Sequence, residues 1–136
     1  MEDYVAALRR GHGVFVQIAR ANADLCANAA AAYIGAMTTT IAIFPRDLQE
    51  AARKVMGAGD GVVVHYVAPD SPAQRAGLAI GDRIVSVNGA AIATGTAANN
   101  RYNRSIRTLP AANPVATIAV ERGGAPLNFT VTAERI

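Results

Sequence analysis

The chain has 136 residues, 51% of them hydrophobic and 17% charged, which argues against intrinsic disorder and suits one domain of about 100 residues with an extension. Thirteen Lys and Arg against ten Asp and Glu give a mild net charge of +3, and apart from Arg101, Arg104 and Arg107 the arginines are scattered, without the basic, aromatic-studded face of a nucleic-acid binder. One cysteine, Cys26, excludes an internal disulfide, and with His12 and His65 the only histidines, no Cys/His spacing suggests zinc.

The N-terminal Met1-Glu2-Asp3 is acidic where a targeting signal would be basic, so no signal peptide is expected there. From Asp3 to Asn28 the apolar residues Val5, Leu8, Phe15, Ile18 and Leu25 recur mostly at steps of three and four, predicting an amphipathic helix. Gly11 and Gly13 weaken it by about 1 kcal/mol each. A lone amphipathic helix is marginal in water, so its stripe must pack on its own domain, on a second copy, which would make a dimer, or on another partner. Cys26 reads as a small buried apolar residue. The uncharged stretch from Leu25 to Pro45 raises the question of a membrane span, but Asn28, three successive threonines and the closing proline favour a helix end, a loop and a strand. The chain thus divides into a helical extension over 1–30 and a domain over 31–136.

Thr38 to Phe44 is rich in threonine, isoleucine and phenylalanine and predicts a strand. Pro45 to Met56 predicts a helix, with proline in its first turn, Arg53 and Lys54 late, and Gly57 just past its end. The glycine-rich turn Gly57 to Gly61 leads into a strand, where a phosphate-binding loop would need a helix. Gly61 to Gly89 organises the rest. Val62 to Val67 is a strand stopped by Pro69; Ser71 can cap a helix with Pro72 at its first position, and Gly77 offers a left-handed stop. Gly81-Asp82 turns into the strand Ile84 to Val87, closed by Asn88-Gly89. After a short strand and loop over Ala90 to Gly95, Thr96 is placed to cap a helix reaching Thr108, with Tyr102, Ile106 and Leu109 on one face, and Val115 to Ala133 alternates as a hairpin about Gly123-Gly124.

The catalytic inventory is thin. Ser71, His65 and Asp82 can be written as a triad, but Ser71 serves better as a cap, and His65 sits mid-strand as a surface imidazole. Neither a His-Glu-x-x-His nor a Gly-x-Ser-x-Gly motif occurs, so no catalysis, cofactor or metal is expected of this chain.

The ordered set Ser71-Pro72-Ala73, Ala76-Gly77-Leu78, Gly81-Asp82 and Val87-Asn88-Gly89 resembles the heart of a bacterial-type PDZ domain. The resemblance implies an α+β fold: a small, partly open β-barrel or sandwich of five to six mainly antiparallel strands, capped by two to three helices, here with the extra N-terminal helix. It also implies a peptide groove. Tyr33-Ile34-Gly35-Ala36 is similar to the loop whose amides receive a terminal carboxylate, Met37 and Thr38 continue into the strand that pairs with the peptide, and Asn99, Tyr102, Asn103 and Ile106 stand on the opposite wall. Physically, inward-turned N–H groups form an anion nest, and an exposed strand edge accepts a further strand.

The expected function is capture of a C-terminal or exposed hydrophobic segment by strand addition; the alternative is a structural or regulatory domain whose groove is occupied by its own N-terminal segment. Domains of this type usually belong to larger bacterial proteases, often extracytoplasmic, periplasmic or membrane-associated. Ala21-Asn22-Ala23-Asp24-Leu25-Cys26 resembles the end of an N-terminal helix in zinc metallopeptidase-like proteins that place a PDZ domain before the catalytic part.

Overall fold

Residues 1–25 and 31–136 are described by a computed structural model. Helix α1 spans Glu2–Ala21. There follow β1 (Ala32–Tyr33), β2 (Ala36–Thr39), α2 (Gln49–Met56), β3 (Val62–Val67), the short α3 (Pro72–Ala76), β4 (Arg83–Val87), β5 (Ala90–Ala91), α4 (Ala98–Arg107), β6 (Val115–Arg122), β7 (Ala125–Thr132) and β8 (Glu134–Arg135). The main sheet runs β2-β3-β4-β6-β7, with β5 added to β4. Every pairing is antiparallel, and the sheet is open, ending at β2 and β7. A separate ribbon joins β1 to β8.

The β-branched run of β3 divides its side chains between two surfaces, as strand alternation requires. Val62 and Val64 enter the main core with Ile34, Ile84, Tyr102, Ile118, Val120 and Val131. The Ser71 hydroxyl caps α3 by accepting from the Gln74 N–H at 3.2 Å while donating to the Ala68 carbonyl at 2.7 Å. Pro72 opens that helix, and Gly77, at φ 101°, closes it.

Three expectations need correction. The extended run predicted over Thr38 to Phe44 stops at Thr39, and Ile41–Ile43 forms a 3-10 turn. Ile41 and Phe44 are drawn into a second cluster with Val5, Ala52 and Met56, so burial overrides their β propensity. The helix predicted from Pro45 begins as a 3-10 turn over Arg46–Leu48, becoming α-helical only at Gln49. Thr96 is not a cap: the N-cap position of α4 is Ala97, without a side-chain bond.

Helix α1 is shorter than its predicted reach to Asn28, and both Asn28 and Cys26 lie outside the described residues. It packs on its own domain through buried Val5 and Val16 and a polar seam. Arg9 donates to the His65 carbonyl at 3.3 Å and lies over the Tyr66 ring at 5.2 Å; Arg20 pairs with Glu134. Among the described residues no helix is long and apolar enough to cross a membrane.

Candidate functional site

The loop between β1 and β2 is held from behind by two backbone bonds. The Ile34 carbonyl accepts from Ala73 N–H at 2.7 Å, and the Gly35 carbonyl accepts from Ala68 N–H at 2.8 Å. In a trans peptide the C=O and the following N–H point in opposite directions, so the N–H groups of Gly35 and Ala36 are turned away from α3 and β3. Gly35 has φ 83°, the left-handed region that glycine enters without steric cost. It is also crowded: a Cβ there would stand 2.2 Å from the Ser71 Cβ.

The loop borders a cavity of about 200 Å³ lined by Tyr33, Ile34, Gly35, Ala36, Tyr102, Asn103 and Ile106, with His12 and Phe15 of α1 alongside. Seven of the ten predicted groove residues meet there. Ile34, Tyr102 and Ile106 serve two purposes, since each is also buried in the main core. Met37 lies outside this cavity, in an adjoining apolar channel shared with α1. Thr38 and Asn99 also lie outside it and join β2 to α4, the Thr38 hydroxyl donating to the Asn99 carbonyl oxygen at 2.7 Å. Beyond Thr38 the rim is an open strand edge, because β2 pairs only with β3 among the described residues.

Sequence reasoning missed the α1 side of this site. His12 Nε2 and the Tyr33 hydroxyl share a 2.7 Å hydrogen bond, and the two rings stack with centroids 5.6 Å apart. Burial drives the Tyr33 phenol up to about 12 and lowers His12, so both partners are neutral at pH 7. Only tertiary contact brings these residues together, and no local signal marks it.

His65 is a further correction. Read as a surface imidazole, it is 4% exposed, with Nδ1 lacking a hydrogen-bond partner. Burial, followed by the Arg9 charge, pushes its pKa down from 6.5 to about 4. An unfolded chain protonates it near 6.5, so between these values the unfolded state binds the extra proton. Stability is therefore full above pH about 6.5 and is lost on acidification toward about 4, with a slope of up to about 1.4 kcal/mol per pH unit from this group. Urea midpoints measured across that window should fall, and His65→Gln should flatten the dependence.

The residues of the conceivable triad are committed elsewhere. Ser71 caps α3, Asp82 is bound by Arg122 through both carboxylate oxygens at 2.7 and 2.8 Å, and His65 is buried beneath α1. Among the described residues no group of His, Cys, Asp and Glu could hold a metal ion.

Comparison with known proteins agrees with the fold. A sequence model described as a PDZ domain matches residues 63–99. A protein of Rhizobium meliloti (strain 1021) named as a zinc metalloprotease is 37% identical over 73 residues, which are 54% of this chain and 18% of that protein. The chain thus spans under a fifth of this relative. Among solved structures, the HtrA3 PDZ domain bound to a phage-derived ligand (FGRWV) superposes with TM-score 0.57 at 27% identity, over 79% of this chain and 89% of that one. The HtrA-type protease AlgW with a decapeptide gives 0.55 at 27% identity, over 79% of this chain and 30% of that one.

Proposed function

The chain carries a PDZ domain, and on that premise we propose that it captures a C-terminal or exposed hydrophobic segment by adding it as a strand to β2. The supporting observation is the convergence, at the end of an open strand edge, of the Gly35 and Ala36 amides with the apolar walls Ile34 and Ile106. A terminal carboxylate fits the amides, an apolar side chain fits the cavity, and the edge supplies main-chain hydrogen bonds. In this reading the domain is the recognition or regulatory part of a larger bacterial protease that works outside the cytoplasm, and bond cleavage belongs to another part of that protein.

Binding is expected at micromolar Kd, on the order of −8 kcal/mol. Titrating hexapeptides with free or amidated C-termini while following backbone amide shifts tests this: free carboxylates should move Gly35, Ala36 and Thr38, and amidation should weaken binding at least tenfold. Silence at those amides with every peptide overturns the proposal.

The Thr38–Asn99 bond favours a second reading, in which the groove is held shut and the domain is structural or regulatory. Thr38→Val removes that bond while keeping the side chain's shape. On this second reading peptide affinity rises several-fold; on the first it stays level or falls.

A further inference from the structure

Helix α1 lies on one face of the β2–β3 ribbon. Its contacts there are the His65 carbonyl, the Tyr66 ring and the Tyr33 hydroxyl, whereas Val62 and Val64 of the same ribbon point to the main core. The helix also overhangs the rim. Tyr4, Leu8, Gly11 and Phe15 line an apolar channel of about 440 Å³ whose remaining wall includes Met37 of β2. Tyr4 and Phe15 are 50% and 56% exposed, an unusual placement for two aromatics on one stripe. The channel adjoins the cavity next to Gly35 and Ala36, since His12 and Phe15 border both.

A strand added to β2 would lie about 4.8 Å beyond it, with side chains directed alternately to the two faces. One set enters the cavity between Ile34 and Ile106. The other set, which a two-walled groove would leave in water, faces the side where α1 stands. We infer that α1 is a third wall of the groove, its Tyr4 to Phe15 stripe receiving the penultimate and fourth-from-last side chains of a C-terminal segment, which are therefore apolar. This rests on the strand-addition reading and adds a requirement at positions that β2 and α4 alone would not read. The occupant is a peptide and not a second copy of the chain, because Met37 ties the channel to the strand edge and the end cavity adjoins it across His12 and Phe15.

The test uses the full chain and hexapeptides ending in valine with a free carboxylate, carrying leucine or serine at the penultimate and fourth-from-last positions. Exchanging both leucines for serine should weaken binding at least tenfold in the parent chain. In Phe15→Ser, and in Tyr4→Ser, a residue that lines the channel but not the end cavity, that penalty should shrink to threefold or less with unchanged melting temperature. An equal penalty in parent and variants overturns the third wall while the Gly35 and Ala36 amide shifts still uphold strand addition. Silence of those amides removes both readings together. A dimer in sedimentation that Phe15→Ser dissociates without altering the peptide penalty would assign the stripe to a second copy and overturn the inference.

Discussion

Gly35→Ala is expected to lower unfolding free energy by about 2–5 kcal/mol and to abolish peptide binding in the variant that remains folded. Two costs combine. Holding an L-residue at φ 83° costs roughly 1–2 kcal/mol, and the new methyl would meet the Ser71 side chain at 2.2 Å and 2.7 Å, an overpacking of about 1–3 kcal/mol. Ser71 has little room to retreat, because its hydroxyl is bonded both to Ala68 and to Gln74. The loop must move instead, carrying the Gly35 and Ala36 amides with it. Urea unfolding measures the loss. Adding Ser71→Gly should recover the clash but not the backbone strain, leaving a deficit to which the changed helix cap adds only about a few tenths of a kcal/mol, since glycine is itself a tolerated N-cap; a full recovery would show that strain at Gly35 is unimportant.

Asp82→Ala should cost about 2–3 kcal/mol. Its carboxylate is fully buried and accepts from the Ala79 N–H at 2.9 Å and from Arg122 through both oxygens. The same guanidinium donates to the Gly77 carbonyl at 2.8 Å, so one carboxylate positions the whole turn between α3 and β4. Removing it strands the Ala79 donor, worth about 1–3 kcal/mol. The ion pair itself adds only modestly, since the Arg122 side chain is 41% exposed and rehydrates once released. Burial alone would raise the Asp82 carboxyl, but the Arg122 hydrogen bonds and the Ala79 N–H outweigh it and hold the group below its ordinary value. Its stabilisation is consequently complete at neutral pH and is lost as pH falls from the ordinary value of 3.8 through the lowered pKa, below the window in which His65 acts. Asp82→Asn, which keeps an acceptor for Ala79, should lose less than Asp82→Ala in the same urea assay, and equal losses would mean the Ala79 bond is unimportant.

The parts of this fold that were legible in the sequence are those governed by local chemistry. Ser71, Pro72 and Gly77 bound a short helix because capping, a missing N–H and a left-handed stop each act within a few residues. Asn88, at φ 50°, and Gly89, at φ 80°, close β4 for the same kind of reason. The loop Tyr33-Ile34-Gly35-Ala36 was singled out only by resemblance, and its glycine has a positive φ of 83°. What escaped depended on distant partners. Thr96 has a good capping side chain, yet the turn at Gly95 delivers the chain to α4 through an Ala98 to Gly95 backbone bond. Ile41 and Phe44 read as strand until Val5 and Ala52 offered them a second core. His65 was taken for a surface residue because nothing in its neighbours announces that α1 will cover it.

The ribbon of β1 and β8 gives the domain a mechanical character. Ala31 and Ile136 exchange two backbone hydrogen bonds, at 3.1 and 3.2 Å, next to the paired Ala32–Arg135 and Tyr33–Glu134 positions. A force pulling these two ends apart loads the bonds one after another, as a zip opens, and not all at once in shear. The first residues released beyond the ribbon are Ile34 and Gly35. A pull on these two ends would therefore loosen the Gly35 and Ala36 amides before it disturbed Ile118 or Val120 in the centre of the sheet.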